Sequence, residues 1–147
     1  IVITKYPNSE LKIIGTGPDK KFLENLIKKY SLANNVKLLG FISNGDLPEY
    51  LMKSDIFVSP LTGHSLREAA LCSLPIVAYN IDWIKGFLTH KLNFYSVEKT
   101  SYVLLAEGII ETYEDLELRK TLSTNIYKFA IDNWSENAIK PLSLNYA

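Results

Sequence analysis

Short apolar runs alternate along this chain with stretches in which apolar residues recur every three or four positions. Leu11-Lys12-Ile13-Ile14 is one such run. It is closed by Gly15-Thr16-Gly17-Pro18, and it predicts a buried strand ending in a turn. A helix should follow, with Pro18 in its first turn and Asp19 at the positive end of its dipole. Phe22, Leu23, Leu26, Ile27 and Tyr30 would form its apolar stripe. Val36-Lys37-Leu38-Leu39 predicts a second strand, stopped by Gly40. Asp46 and Glu49 bracket Leu47-Pro48 as N-cap and capping-box partner of a helix through Leu51.

Asp55-Ile56-Phe57-Val58 predicts a third strand ended by Ser59-Pro60, then comes a helix over Ser65–Ser73, then a strand Pro75-Ile76-Val77-Ala78-Tyr79. Asn93-Phe94-Tyr95-Ser96-Val97 is a weaker strand candidate. Val103, Leu104, Ile109, Ile110 and Tyr113 suggest one late helix; Leu116, Leu122, Ile126, Phe129 and Ala130 suggest another. Strand–helix alternation of this kind implies right-handed βαβ units, hence an α/β fold with a parallel sheet and helices on both faces. In such sheets ligands bind beyond the carboxyl ends of the strands. Four segments are therefore expected along one rim: Gly15–Pro18, Gly40–Ser43, Ser59–Ser65 and Tyr79–Trp83.

The chain has 147 residues, of which 47% are hydrophobic, enough for one domain with a substantial core. It opens at Ile1 rather than Met and is expected to be a piece of a longer protein. Basic and acidic residues balance at 16 each, so there is no broad basic field for a nucleic-acid backbone, and none is expected as a partner. An anionic ligand would have to be held locally, by a few basic side chains or by backbone N–H groups. Cys72 is the only cysteine, which excludes an internal disulfide and fits a reduced, cytoplasmic setting. Four-ligand zinc patterns and Asp-X-Asp pairs are absent, so no metal or other cofactor is expected. No apolar run approaches the roughly 18 residues of a membrane-spanning helix.

Each rim segment has two readings. Gly15 and Gly17 either let the backbone approach a ligand or make a tight turn; the third glycine of the dinucleotide fingerprint and the Gly-Lys-Ser/Thr of a P-loop are missing. Phe41 is either a base-stacking aromatic or a core residue at a strand end. Gly63-His64-Ser65-Leu66 runs into a helix whose first-turn N–H groups would suit a diphosphate. One turn on, Glu68 could accept hydrogen bonds from the two hydroxyls of a ribose, or it could close a capping box with Ser65. His64 reads as a surface residue or a site residue, Arg67 as a solvated helix face, and Cys72 as a small buried hydrophobe. Asp82 either caps a helix through Phe87 or touches a sugar hydroxyl, with Trp83 beside it.

Leu11–Pro18 (LKIIGTGP), Val36–Phe41 (VKLLGF), Ser54–Pro60 (SDIFVSP) and Leu66–Ala78 (LREAALCSLPIVA) occur in the order and spacing of one known family. The chain resembles the C-terminal, donor-binding domain of GT-B glycosyltransferases of the family 4, group 1 type. The resemblance extends to Asp115–Arg119 and to Trp134-Ser135-Glu136. It implies a Rossmann-like half of a GT-B fold that holds a nucleoside diphosphate sugar. The acceptor domain would lie N-terminal in the same parent chain, and the isolated piece would be inactive alone.

The implied reaction is transfer of the sugar to an acceptor hydroxyl with retention, in polysaccharide biosynthesis, with peripheral membrane association of the full-length protein. By the same resemblance, Glu68 matches the ribose-holding second glutamate of the family's pair. Gly63 matches the glycine opening the helix that faces the pyrophosphate. Gly15 and Gly17 match the glycine turn, and Gly40 with Phe41 the strand end beside the nucleobase. His64, Ser65 and Leu66 complete the implied donor contacts. The family's first glutamate would fall at Pro60, the loop from Pro60 to Gly63 is short, and Lys85-Gly86 stands where a carboxylate is often found. Two other functions remain open, a non-catalytic GT-B-like partner domain and a nucleotide-sugar epimerase.

Overall fold

The structure is a computed structural model that describes residues 1–61, 63–81, 84–98 and 100–134. Its elements run in the order α1 (Val2–Lys5), β1 (Leu11–Ile14), α2 (Lys20–Lys29), β2 (Val36–Gly40), α3 (Leu47–Met52), β3 (Phe57–Ser59), α4 (His64–Leu71), β4 (Ile76–Tyr79), β5 (Tyr95–Val97), α5 (Tyr102–Glu114) and α6 (Leu116–Trp134). The predicted alternation is present. The opening Ile1-Val2-Ile3 run forms a short helix, however, and the segment after Ile84 makes a turn and isolated bridges in place of the helix expected through Phe87. Asp82, Trp83, Ser135 and Glu136 lie outside the described residues. Two compact units divide at the start of α3, Ile1–Leu47 and Pro48–Ala147.

In the first unit, β1 and β2 pair in parallel from Leu11↔Val36 to Ile13↔Leu38. The helix between them begins at Lys20, so Pro18 precedes it and Asp19 occupies the N-cap position without a side-chain cap bond. Its buried stripe is narrower than expected. Leu23, Leu26 and Ile27 are half-buried, while Phe22 and Tyr30 stand exposed, the Tyr30 ring 5.2 Å below the Lys29 ammonium. The helix ends in a Schellman turn: Ser31 is left-handed (φ 56°), and the N–H of Leu32 donates to the Ile27 carbonyl at 2.8 Å. That turn reverses the chain into β2. Asn35 then ties the unit together by donating to the carbonyls of Pro7 (2.7 Å) and Ser9 (2.8 Å).

In the second unit, β3, β4 and β5 pair in parallel in that order, with β4 in the middle. Because side chains alternate along a strand, a central parallel strand must be apolar on both faces. All of Ile76-Val77-Ala78-Tyr79 is buried. Val77 and Tyr79 join Val97 in a cluster against Leu105 and Ile109 of α5. Leu66, Ala69 and Ala70 of α4 and Leu122, Ile126 and Ala130 of α6 are fully buried where those two helices pack together. The predicted placement of helices on both faces is thus seen in this unit. Each buried Leu or Ile contributes up to about 1.5–3 kcal/mol.

Helix α6 buries most of the residues the sequence pattern selects, whereas α5 packs Ile109 as expected but otherwise buries different ones. Small residues, Ala106, Gly108 and Thr112, are the buried ones of α5, whereas Val103, Leu104 and Tyr113 are partly exposed. In α6 the expected Leu122, Ile126 and Ala130 are buried, Phe129 is half-buried and Leu116 is exposed. The capping box expected around Leu47-Pro48 is replaced by two local pairs: at the end of the first unit Ser43 donates to the Asp46 carboxylate (2.7 Å), and at the start of the second Lys53 pairs with Glu49 (2.5 Å).

A second Schellman turn ends α4. Ser73 is left-handed (φ 60°), Leu74 N–H donates to the Ala69 carbonyl, and the Ser123 hydroxyl of α6 donates to the Ser73 carbonyl at 2.5 Å. A serine in that conformation is strained relative to glycine, and its bonds to α6 offset the strain.

Gly108 allows α5 to approach β5 closely. A Cβ there would sit 2.7 Å from the Tyr95 ring and 3.2 Å from a Val77 methyl. The Tyr95 hydroxyl is anchored to Glu111 at 2.6 Å, so the ring has little freedom to yield. Helix propensity would favour alanine by about 1 kcal/mol, but overpacking a filled site costs about 1–3 kcal/mol. Gly108→Ala is therefore expected to be a net destabilisation of up to about 2 kcal/mol, read as a lowered midpoint in chemical denaturation. A raised midpoint would show that Tyr95 gives way.

Candidate functional site

The rim expectation joins segments of both units, and each unit answers its own part. In the first, the two glycine turns meet at the carboxyl edge of the β1–β2 pair. The register slips between Ile13 and Ile14, so that Ile14 lies opposite Gly40, and Gly15 N–H donates to the Gly40 carbonyl at 2.7 Å. Gly15 (φ 121°) and Gly40 (φ 71°) both occupy conformations that disfavour a side chain, although a Cβ on either would meet nothing within 4 Å. Backbone geometry, rather than crowding, demands glycine at these two positions, and the backbone beside them is open. Gly17 lacks a positive φ, and its carbonyl accepts from Lys20 N–H. Phe41, at 77% exposed, is not a core residue; its ring faces solvent directly after β2.

In the second unit, β3 ends at Ser59, whose hydroxyl donates to the Leu61 carbonyl at 2.5 Å and tightens the following turn. Helix α4 then starts one residue earlier than predicted. Its N-cap is Gly63, extended at φ −159°, and no side chain caps it. Leu66 is fully buried and plugs the helix into the core, whereas His64 and Ser65 are exposed at its first turn. The first N–H groups of a helix have no intrahelical acceptor, and its dipole makes that end positive.

This geometry removes the capping-box reading of Glu68. Ser65 lies inside the first turn instead of at the cap, so a Ser65–Glu68 box does not form. The Glu68 side chain is half-buried and has no hydrogen-bond or ion-pair partner among the described residues. Its charge and, more strongly, burial push the Cys72 thiol up from its ordinary range. Cys72 itself is half-buried at the end of α4, not a core residue. Arg67, read from sequence as a solvated face, lies over the Trp134 ring at 5.7 Å while remaining exposed.

Two polar residues of the same strand-end edge escaped sequence reasoning in their roles. Asn80 directly follows β4 and Glu98 directly follows β5; the Asn80 amide donates to the Glu98 carboxylate at 2.9 Å. The Ser96 hydroxyl donates to the same oxygen at 2.8 Å, and these bonds, Ser96's first, hold Glu98 below the usual carboxylate range. Pairing of β4 with β5 would have revealed the contact, but β5 has only three residues and no sequence feature announces its partner. Among the described residues, no three His, Cys, Asp or Glu side chains converge as metal ligands would, and no helix is long and apolar enough to cross a membrane.

Helix α4 thus opens at a glycine directly after a parallel strand, with an unengaged carboxylate one turn in. Residues 1–129 match the family model described as "Glycosyl transferases group 1". The chain belongs to this family. Among curated members, it is 32% identical over 124 residues to the alpha-monoglucosyldiacylglycerol synthase of Acholeplasma laidlawii, covering 82% of this chain and 31% of that protein. It is 27% identical over 146 residues to the poly(glycerol-phosphate) alpha-glucosyltransferase of Bacillus subtilis, covering 92% and 22%. This group 1 chain therefore spans less than a third of the length of these relatives.

Solved structures agree on the fold. TarM of S. aureus, crystallised with UDP among its ligands, superposes with a TM-score of 0.87 at 23% identity, covering 98% of this chain and 30% of that one. The C-terminal domain of LpcC, a group 1 protein of Francisella tularensis, superposes with a TM-score of 0.78 at 23% identity, covering 92% of this chain and 74% of that one.

The glycine conformations generate a sharp contrast within one unit. Gly15→Ala and Gly40→Ala should each cost about 1–2 kcal/mol, the usual penalty for a side chain in left-handed backbone. Gly17→Ala, with ordinary φ and open space, should stay within about 0.5 kcal/mol of the parent. Urea denaturation of the three variants tests this; equal effects at all three positions would contradict the turn geometry.

Proposed function

We propose that this chain is the donor-binding domain of a glycosyltransferase and that α4 is its anchor for a nucleoside diphosphate sugar. The observation that carries the proposal is the state of Glu68: half-buried, unpaired among the described residues, and one turn into a helix whose N-cap has no side chain. A carboxylate in that position accepts the paired hydroxyls of a ribose, while the N–H groups at Gly63, His64 and Ser65 face the diphosphate; the Leu66 N–H donates to the Gly63 carbonyl at 3.2 Å. Leu66 serves as the buried anchor that fixes the helix end. The first unit by itself presents an exposed Phe41 ring and open backbone at Gly15, Gly17 and Gly40.

In the proposed reaction, the bond from the sugar's anomeric carbon to the diphosphate oxygen breaks, and the diphosphate leaves with the electron pair. The acceptor oxygen bonds to that carbon and gives up its proton to the departing diphosphate. Charge builds on the departing diphosphate, so positioned N–H donors at a helix start stabilise the transition state more than the ground state. UDP in the TarM crystals and the alpha-glucosyl products in the relatives' names favour a UDP-sugar donor and transfer with retention. The acceptor site is assigned to a further, N-terminal domain of the parent chain, working at the cytoplasmic side of a membrane in polysaccharide biosynthesis.

Pro60, standing where the family's first glutamate is expected, favours one competing function: a domain that binds donor, or nothing, and scaffolds an active partner.

Calorimetric titration with UDP-, GDP- and ADP-sugars tests the proposal. One nucleotide class should bind saturably, and Glu68→Ala should weaken it by about 10- to 100-fold, the worth of a hydrogen bond to a charged group, with an unchanged circular dichroism spectrum. Equal affinity in Glu68→Ala would remove the ribose role. No binding of any donor would favour the scaffold.

A further inference from the structure

A cluster of ionisable side chains lies around β5, where the 84–94 segment and α5 meet it, apart from the donor contacts proposed above. Strand β5 is an edge strand: β4 pairs along one side, and no other strand of the described sheet pairs along the other. An edge strand leaves backbone N–H groups needing acceptors. At Ser96 that acceptor is a side chain, since the Ser96 N–H donates to His90 Nδ1 at 3.0 Å. The His90 ring stands edge-on to Tyr95, 4.9 Å between centroids and 77° between planes.

His90 also belongs to a segment tied down beside it. His90 and Phe94 form an isolated bridge, Lys91 N–H donates to the Phe94 carbonyl at 2.9 Å, and Phe94 is 1% exposed. The Lys91 ammonium pairs with Glu111 of α5, which also accepts the Tyr95 hydroxyl. The segment from Ile84 to Phe94 is thus held to α5 by an ion pair, to α6 by the Asn125 amide donating to the Leu92 carbonyl (2.9 Å), in the core by Ile84, Leu88 and Phe94, and to β5 by an imidazole.

We propose that His90 is an acid-sensitive latch: neutral, its Nδ1 accepts the edge N–H of Ser96 and holds the chain around His90 on β5; protonated, both ring nitrogens carry hydrogen, the bond is lost and that stretch of the segment lifts from the strand edge. The charged and titratable groups facing it are Lys91 from its own segment, Tyr95 and Glu98 from β5 and its end, and Glu111 from α5. Burial first, then the Lys91 charge, holds the imidazole below its ordinary value against the opposing pull of Glu111 and Glu98. Glu111 is itself held low by Lys91 and Tyr95, Glu98 by Ser96 and Asn80, and Tyr95 is pushed up to about 12. None of these three changes charge between neutrality and mild acid, which leaves that window to His90.

The direction follows from linkage. The released segment binds a proton at the ordinary histidine value and the latched one only at lower pH. The latch is therefore at full strength above the ordinary value and weakens as pH falls below it, until the latched imidazole also titrates.

Amide hydrogen exchange of the isotope-labelled 147-residue chain, followed by NMR beside the His90 ring signals, tests the latch. After correction for intrinsic exchange, the Ser96 protection factor should fall about threefold or more between about pH 7.5 and pH 5, tracking the His90 signals. His90→Asn places a non-titrating acceptor oxygen near the Nδ1 position and should hold that protection constant with pH. His90→Phe removes the acceptor and should lower protection at every pH. Unchanged wild-type protection across the range, or a parallel fall in His90→Asn, would overturn the proposal, and neither comparison depends on the phenylalanine variant folding.

Discussion

Parallel pairing of β3, β4 and β5 governs what the second unit can do. Parallel strands cannot be joined by a tight turn, so the chain must cross back over a sheet face before the next strand begins. Between β3 and β4 that crossover is α4. It runs opposite to the strands, and so its open N–H groups and Gly63 are delivered to the edge where β3 has just ended. The same pairing brings Asn80 and Glu98, one residue past β4 and β5, within hydrogen-bond distance of each other. An antiparallel arrangement of the same residues would scatter these groups between opposite edges.

The packing around that sheet depends on small residues at points of close approach. Ala69 and Ala70 lie fully buried where α4 meets its neighbours, and Gly108 leaves room for the Tyr95 ring. The first unit is built differently. None of its residues is fully buried, and its order comes from a short parallel pair, a Schellman turn and the Asn35 clamp. Its two left-handed glycines leave backbone exposed at the strand ends.

Glu68 shows how a residue's role is decided by a shift of one or two positions. Had α4 begun with Ser65 as its cap, the carboxylate would have been consumed within the helix. Because Gly63 is the cap, Glu68 falls beyond the reach of a reciprocal bond and stays unpaired among the described residues. His90 is the converse case. Nothing in the sequence around it suggests a partner, yet folding sets its ring against an edge N–H of β5 that would otherwise lack an acceptor.

What the sequence determined by itself was local: the strand over Leu11–Ile14, the helix over α2, the parallel α/β class, and the family carried by runs such as Leu66–Ala78. These follow from periodicity, glycine and motif order, all of which act over a few residues. Asp19 as the helix boundary, the exposure of Phe22 and Phe41, and the burial of Ala106, Gly108 and Thr112 in place of Val103 and Leu104 were decided by tertiary structure. Periodicity states that a helix has an apolar face. Only the neighbour it packs against settles which residues that face contains, and whether a small residue fits there better than a large one. Contacts such as Asn80–Glu98, Lys91–Glu111 and His90–Ser96 join residues up to 20 positions apart, and strand pairing and helix docking, not sequence spacing, bring them within bonding distance.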